Sequence, residues 1–503
     1  MRDKLQELKG YLTSTKGTHT ILYIISAIFV GLNCLLVYHE IYWLLLLPVL
    51  MIILYLYFFH LDKILLLITL MTPLAINITQ REFRIGVSVP TEPLMFGVLL
   101  MFILKLILDN DFDKKIWKHP VTIIILIQLT WIFITSLTSV RPVVSFKFLL
   151  ARLWFVVPFY IFGIHFFKDK VNARRFIWFY AVPLVAVIFF TIYNHYLWNF
   201  EQQAGHFVME PFYNDHTAYG AIITMFIPVF FGFVIDKKNS RLTRFFGCMV
   251  LLILLTALVL SYCRAAWVSL ALAVGILALV LLKIKFRWVA MTAIILGIIL
   301  YTFQFEILTA MERNKQSKTA TLTEHVRSIS NISTDNSNME RINRWMSAFR
   351  MYQERPRFGF GPGTYQFEYA PYQLSGEKTL ISTNEGDKGN AHSEYIGPLA
   401  EQGLPGMLIV IALVIAMVMT GLKVYHRTRD REIKILSMSV LLGLITYFIH
   451  GLMNNFLDTD KASVPVWGFI AILVAMDIYS LKKQDTDTPN QVNGPEKADQ
   501  VSN

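Results

Sequence analysis

The sequence predicts an all-α integral membrane protein: a polytopic bundle of about fourteen transmembrane helices with one large extracytoplasmic loop. Two observations predict this fold class. Of 503 residues, 55% are hydrophobic and only 16% are charged, and apolar runs about as long as a bilayer is thick recur along the chain. A water-facing globule cannot hide that much apolar side chain, and a hydrocarbon core about 30 Å thick requires roughly 20 helical residues per span. Backbone groups in lipid must be paired within their own segment, which favours helices.

Each apolar run is interpreted as one span. The expected spans are 20–38, 41–59, 64–78, 93–108, 121–138, 147–167, 176–198, 217–235, 245–262, 265–282, 288–304, 403–424, 434–454 and 463–481.

Basic residues near span ends are retained on the cytoplasmic side of the membrane and therefore predict the orientation. With the N-terminus inside, 28 of the 46 Lys and Arg residues lie in cytoplasmic segments and 7 in the short outer loops and their flanks. The other 11 lie in the segment 305–402, which is too long for the rule to apply. Both termini are therefore predicted to be cytoplasmic.

Four regions are expected along the chain. N-terminal transmembrane helices occupy 1–204, a core with the long loop 305–402 occupies 205–424, and C-terminal transmembrane helices occupy 425–481. The polar tail 482–503 is predicted to be disordered and cytoplasmic.

The formal net charge of +11 does not indicate nucleic acid, because the basic residues are spread over many loops instead of forming one strip. Anionic membrane lipids are the expected partners. Cys34, Cys248 and Cys263 lie in or beside apolar spans without metal-ligand spacing, so no disulfide and no metal is expected. The first span lacks a signal-peptidase type site and is interpreted as a retained helix.

The long loop 305–402 is expected to be functional. Its part from Asn314 to Asn338 is polar and is interpreted as a tether or flap. An amphipathic helix that could lie on the membrane surface should follow and end at Pro356. Its expected apolar face is Met339, Ile342, Trp345, Phe349 and Tyr352.

Two further features of the loop precede its re-entry into the membrane. The run FGFGPG (358–363) lacks the context of a nucleotide-binding loop and predicts a turn. A second helix is expected to begin near His392 and to lead through Gly403 into the next span.

Ionisable residues inside spans mark candidate sites, and here they lie near the predicted outer helix ends. Arg152, His195, His216, Arg264 and His450 share this position, which suggests a polar cavity that opens outward. Snorkelling of side chains to the interface is the alternative explanation for each of them.

Arg264 and His392 are the strongest candidates for chemistry. Arg264 occupies a very short connector in SYCRAAW, and a guanidinium with five donors suits the oxygens of a phosphate ester. Arg341 and Arg344 could add cationic contacts or simply form a solvated face. His392 is the only histidine in the part of the loop that re-enters the membrane, and histidine can act as a general base.

Several motifs together resemble the O-antigen ligase and polymerase superfamily. They are R-x-x-x-W (Arg341, Trp345), Pro356, G-x-G-x-G (Gly359, Gly361, Gly363), a histidine (His392) and E-x-G-x-x-G (Glu401, Gly403, Gly406). The stretch FYNDHTAYG, which contains His216, and the Arg264 connector are similar to two earlier blocks, so the resemblance covers roughly 205–420. One departure is Cys263, which stands where the family usually has Ser.

The resemblance implies a membrane glycosyltransferase of the bacterial inner membrane, with its active site facing the periplasm. It would move a glycan from a polyprenyl diphosphate carrier to a hydroxyl of a glycan or lipid A core, without metal or cofactor. By the same resemblance His392 would be catalytic, Arg264 and Arg341 would bind the diphosphate, and Glu401 and Trp345 would support the site. We also assign Arg152 to the diphosphate and His216 to a supporting role.

Three functions remain open. A ligase attaches a finished glycan to lipid A core, a polymerase joins repeat units, and the sequence does not separate the two. A polysaccharide flippase could also have fourteen spans, but would show repeat symmetry and polar residues near the bilayer midplane, which we do not find. The DTD run at Asp458 and Asp460 is interpreted as a solvated turn instead of a metal site.

The predicted orientation can be tested by labelling in intact spheroplasts. A cysteine introduced at Asn336 should react with a membrane-impermeant thiol reagent, whereas one introduced at Lys237 should not, because only the first is expected outside. The unsubstituted chain measures background labelling. The reverse pattern would overturn the orientation.

Overall fold

The computed structural model describes residues 15–80, 85–108, 113–284, 336–379 and 389–481, and the single positions 291, 302 and 382. Most of the expected tether at 314–338, most of the expected span at 288–304 and the whole tail 482–503 lie outside the described residues. The chain divides into two compact units, Met1–Ile64 and Leu65–Asn503.

The first unit contains two apolar helices. They are α1 (Thr15–Tyr38) and α2 (Leu47–Phe59), the latter preceded by the 3-10 helix Trp43–Leu46. The boundary between the units falls within α3 (Leu61–Met71).

The second unit contains a short hairpin and a series of long helices. Its elements are the 3-10 helix Thr72–Leu74, β1 (Ile76–Gln80), β2 (Ile85–Val89), α4 (Thr91–Leu108), α5 (Lys114–Trp117), α6 (Pro120–Leu137), α7 (Pro142–Phe166, with a π-helical segment Val157–Phe162), α8 (Lys170–Leu197), the 3-10 helix Ala204–His206, α9 (His216–Ile235), α10 (Arg241–Leu260), α11 (Arg264–Leu281), α12 (Asn336–Glu354), α13 (Tyr365–Glu368), the 3-10 helix Ala370–Tyr372, α14 (Ile396–Arg427), α15 (Arg431–His450) and α16 (Asp460–Ser480).

The prediction of a polytopic helical bundle is confirmed. Among the described residues, ten helices are long and apolar enough to cross a membrane, and two shorter apolar helices lie in the first unit. The count of fourteen spans stays a prediction.

The expected span at 64–78 differs from the structure. Its apolar run divides between α3, the 3-10 turn at Thr72–Leu74 and strand β1. Pro73 has no N–H to continue an α-helix, and the isoleucines at 76 and 78 alternate with polar residues, a pattern typical of a strand. β1 pairs antiparallel with β2, with Ile76 opposite Val89.

Three helices form the centre of the second unit. In the most apolar stretch of each helix, 89% of the residues of α16 are buried, as are 83% of those of α15 and 78% of those of α9. The corresponding share for the peripheral helix α11 is 17%. The apolar side chains that the peripheral helices leave exposed are suited to lipid, since a water-facing surface would not carry them at this density.

Ion pairs gather at the end of the bundle that the orientation predicts to be cytoplasmic. Lys238 contacts Asp430 at 2.8 Å, and Lys170 and Arg174 each contact Glu432 at 2.7 Å. Three connectors that are distant in sequence therefore meet at one end. The side of the membrane on which they lie stays a prediction.

Close packing of α9 against α15 depends on Gly443 of α15, and a substitution there tests the packing of the core. A Cβ added to Gly443 would lie 2.5 Å from the backbone oxygen of Met225, whereas one added to Gly275 on α11 meets nothing within 4 Å. Gly443→Ala should therefore destabilise the protein by about 1–3 kcal/mol, because a backbone oxygen cannot turn away. Gly275→Ala should leave the stability unchanged or slightly raised. Thermal unfolding of both variants in detergent measures the difference, and equal melting temperatures would contradict this packing.

Candidate active site

The described part of the long loop folds around a small core of its own. This core joins α12, the FGFGPG turn, α13 and the start of α14 through buried side chains, which are Ala348, Met351, Phe360, Tyr365, Tyr369, Ala391 and Ala400. The loop is therefore an ordered layer on the bundle at these residues, and it can hold side chains in fixed positions.

The buried face of α12 is not the apolar face that the sequence predicts. Asn343 and Ser347 are fully buried, whereas Phe349 of the expected apolar face is 41% exposed. Other loop segments supply hydrogen bonds to the polar stripe, as Gln373 does when its Oε1 accepts a 2.8 Å bond from Asn343. Hydrophobic periodicity does not detect a stripe that is buried by polar partners.

A buried ion pair fixes this stripe. Arg344 Nε donates to Glu340 Oε1 at 2.8 Å, one helical turn apart, and both residues are almost fully buried. Burial alone would raise the pKa of Glu340, but hydrogen bonds from Ser382 and Arg344 outweigh it and hold the pKa below its usual range. The possibility that Arg344 is a solvated charge is therefore wrong.

Arg344 also holds the segment that carries His392. Its Nη1 donates to the carbonyl of Asn390 at 3.1 Å, and the Asn390 side chain accepts from the His392 backbone N–H at 3.0 Å. His392 itself has a φ of +48°, in the left-handed region that a residue with a side chain seldom adopts. The surrounding contacts thus impose the backbone conformation of His392.

His392 is half-buried, and two arginines act on it electrostatically. Burial, and then the charges of Arg344 and Arg341, lower the pKa of His392 to about 3, while Asp215 and Glu340 oppose the shift. The imidazole is consequently neutral at physiological pH, and it is a weak base while the charges of both arginines act on it. Its pKa lies well below the near-neutral range expected from the sequence, because the fold brings Arg344 and Arg341, which are distant from the histidine in sequence, close to it.

The Arg264 connector lies against the end of α15. Cys263 precedes Arg264, the first residue of α11, and its Sγ lies 3.5 Å from Nε2 of the buried His450. Burial raises the pKa of the Cys263 thiol to about 11. Cys263, which replaces the usual serine, thus has His450 as a neighbour, and Ser261 Oγ accepts from the Cys263 N–H at 3.3 Å.

Charged groups connect the loop to this connector. Arg341 Nε donates to the carbonyl of Met453 at 3.1 Å, just beyond the end of α15. Arg341 and Asp215 act electrostatically on both His392 and Cys263. The structure therefore brings α12, the His392 segment and the Arg264 connector to one end of the bundle.

Asp215 and His216 complete this end. The Asp215 carboxylate caps α9 by accepting from the backbone N–H groups of Thr217 and Ala218 at 2.7 and 2.8 Å. The ring of His216 stacks on that of His206, with centroids 4.3 Å apart. Four of the predicted residues thus lie around one region, namely Arg264, Arg341, His216 and His392. Asp215, which no motif assigned to the site, lies there as well.

The glycine run forms a turn, as predicted, and Glu401 braces it. The N–H of Gly361 donates to the Glu401 carbonyl at 2.8 Å, and the Glu401 side chain accepts from the Tyr365 N–H at 3.0 Å. Gly359 has a φ of +66°, and a Cβ there would overlap the Glu401 backbone. Glu401 therefore supports the loop.

Trp345, the other predicted supporting residue, is half-buried on α12. Its indole Nε1 is buried and finds no hydrogen-bond partner among the residues that the structure describes.

Arg152 lies in different surroundings from the other predicted residues. Its guanidinium contacts Asp458 at 3.0 Å and the Leu457 carbonyl at 3.3 Å. Asp458 of the DTD run is 46% exposed, whereas Asp460 is buried and accepts a 2.6 Å bond from Thr91 Oγ1, so the expectation of a solvated turn is wrong for Asp460. Asp460 lies in the first turn of α16, where a carboxylate is favoured by the helix dipole.

The buried pair on α12 can be tested against an exposed pair. Glu340→Ala leaves the Arg344 guanidinium buried without its carboxylate, and should destabilise the protein by about 3–5 kcal/mol. Glu368→Ala removes the partner of Arg141, which is 49% exposed, and should change the stability by less than about 1 kcal/mol. Thermal unfolding measures both. A Glu340→Ala protein as stable as Glu368→Ala would show that the pair does not organise the loop.

Comparison with protein families identifies one segment of the chain. Residues 249–411 match the family model described as O-antigen ligase, and they include Arg264, Arg341, Trp345, His392 and Glu401. Comparison with curated proteins gives no match. The resemblance inferred from the motifs is confirmed over this segment. The match and the apolar helices support a multi-pass protein of the bacterial inner membrane with ligase-type or polymerase-type glycosyltransferase activity in polysaccharide biosynthesis.

Proposed function

Since residues 249–411 match the O-antigen ligase family, we propose that this protein transfers a glycan from a polyprenyl diphosphate carrier to an acceptor hydroxyl at the outer face of the inner membrane. One observation carries the proposal. His392 is held neutral by burial and by the charges of Arg344 and Arg341, and Arg341 also acts electrostatically on Cys263, the residue before Arg264. A base and fixed cations together are what transfer from a diphosphate requires.

The arginines act on the leaving group. When the bond between the glycan and the diphosphate breaks, negative charge grows on the diphosphate oxygens. Arg264 and Arg341 match that charge with guanidinium groups, each of which can donate two parallel hydrogen bonds. The proposed reaction therefore needs no divalent metal.

His392 acts on the acceptor. As the acceptor oxygen forms its bond to the sugar carbon, the neutral imidazole takes the hydroxyl proton, and the diphosphate leaves with the bonding electrons. Arg341 helps to lower the pKa of His392 to about 3. The negative charge of a bound diphosphate offsets this effect and raises the pKa. The base consequently becomes stronger when the donor is in place.

The other predicted residues support these groups. Glu401 holds the glycine turn through Tyr365, and His216 stands at the capped start of α9 beside Asp215. Trp345 lies on α12, one turn from Arg341. We keep a ligase acting on lipid A core as the proposed function and a repeat-unit polymerase as the alternative. The lipid-linked glycan that accumulates in a deletion strain separates them, since single repeats indicate a polymerase and full-length chains a ligase.

Two substitutions test the proposed roles. His392→Ala should lower the transfer rate by about a hundredfold to ten-thousandfold while donor binding is largely retained, because a base is lost and the arginines remain. Arg264→Lys should lose most of the activity in a folded protein, because an ammonium cannot form the bidentate contact. Donor binding and product formation are measured on the same purified preparation.

Excess EDTA provides the contrast with other mechanisms. Transfer should persist in EDTA, whereas inhibition that an added divalent metal reverses would remove the proposed mechanism. Full turnover by His392→Ala would show that His392 is not the general base. A flippase would move its substrate without forming a new glycosidic bond, and would retain this movement after the His392 change.

A further inference from the structure

A cavity of about 330 Å³ lies on another side of the segment that carries His392. Its volume is in the range of small-molecule sites in proteins, about 300–1,000 Å³. Its lining includes Asn390, Ala391 and Ser393, which flank His392, but not the side chains of Arg264, Arg341 or His392. We call it the Arg152 cavity, after the arginine in its wall. It adjoins the proposed reaction site and is chemically different from it.

Two amide oxygens in the wall of the Arg152 cavity have no protein partner. Gln128 is 7% exposed, and neither its Oε1 nor the Oδ1 of Asn455 accepts a hydrogen bond from any residue that the structure describes. Buried polar atoms are nearly always paired, and leaving one unpaired costs about 1–3 kcal/mol. Both residues line the same cavity, so a ligand with hydrogen-bond donors would satisfy them together.

The charges of the cavity do not favour a diphosphate. Among the described lining residues Arg152 is the only cation, and Asp458 already pairs with it at 3.0 Å. Glu394 and Glu401 add two further carboxyl groups. Burial, and then the neighbouring Asp458, raises the pKa of Glu394, so that added negative charge is disfavoured here. This argues against the prediction that Arg152 binds the diphosphate.

The remaining lining is typical of a site for a neutral molecule rich in hydroxyl groups. Carboxyl and amide oxygens accept from hydroxyls, the Arg152 guanidinium donates to them, and aromatic rings can pack against the C–H faces of a sugar. Three aromatic residues line the cavity, namely Phe148, Tyr365 and Phe448.

We propose that the Arg152 cavity is a saccharide subsite, which binds a sugar unit of the glycan through Gln128, Asn455 and the Arg152–Asp458 pair. This inference rests on the proposed function, because it names the part of the substrate that the second pocket takes. The sugar lies against the Asn390–Ser393 wall, so its position is fixed relative to the base on the same segment. Arg152 accordingly orients the saccharide.

Binding of a free glycan tests the subsite without requiring turnover. The probe is the glycan released by mild acid from the lipid-linked material of the deletion strain and labelled at its reducing end with a fluorophore. Fluorescence polarisation with the purified protein should give a Kd that rises about three- to tenfold in Gln128→Leu and in Asn455→Ala, as expected for one lost hydrogen bond. Thr130→Val is the matched control, since the exposed Thr130 lies on the same helix as Gln128, does not line the Arg152 cavity, and donates its hydroxyl to the Leu126 carbonyl.

Each contrary result overturns the subsite. The subsite is wrong if the wild-type protein does not bind the labelled glycan. It is also wrong if both variants bind the glycan with unchanged affinity. If inorganic pyrophosphate displaces the glycan equally well from the wild type and from Arg264→Lys, the cavity binds the diphosphate instead.

Transfer kinetics then separate the subsite from the proposed function. A raised KM for the acceptor alone identifies the bound sugar as part of the acceptor, and a raised KM for the donor alone identifies it as part of the transferred glycan. An unchanged KM for both substrates, in variants that still transfer, contradicts the subsite and leaves the function intact. Glycan binding that depends on Gln128, without any transfer by the wild type, contradicts the function and retains the subsite.

Discussion

The buried ion pair between Glu340 and Arg344 determines where the reactive groups of the loop can lie. Taking two charges out of water is unfavourable unless their hydrogen bonds are satisfied, and here Ser382 and Thr379 also donate to the carboxylate. The same guanidinium binds the Asn390 carbonyl and influences the charge state of His392. This one interaction therefore supports the fold of the loop and also affects the protonation of His392. A substitution of Glu340 or Arg344 should alter both properties.

Local sequence patterns predicted most of the transmembrane helices and a good part of the loop. A span needs a long apolar run, and α9, α10 and α15 lie close to the expected positions because that requirement is local. The hairpin after α3 and the buried polar stripe of α12 depend on partners elsewhere in the chain. Hydropathy reads Asn343 and Ser347 as solvent-facing, since only the folded loop supplies the groups that pair with them.

The motifs indicated candidate residues for the chemistry, but they did not predict the surroundings of those residues. The three main candidates come from separate segments of the chain, and the sequence does not give the distances between their side chains. They are Arg264, Arg341 and His392. The depressed pKa of His392 follows from two arginines and from burial, which only the structure places together. Two features had local signals in the sequence. Asp215 is a helix-capping residue directly before His216, and Glu340 and Arg344 carry opposite charges four residues apart. The Arg152–Asp458 pair had no such signal, since its residues lie about three hundred positions apart.

The short connector between α15 and α16 contacts α12, the segment after His392 and Arg152, and it does so mainly with its main chain. The carbonyl of Met453 accepts from Arg341, and the N–H groups of Phe456 and Leu457 donate to Glu394. Main-chain contacts survive a change of side chain. The connector can thus preserve the architecture of the proposed reaction site while positions 455 and 458 diversify. If the Arg152 cavity binds a sugar, a few substitutions in the connector would then alter its selectivity without changing the contacts of Arg341.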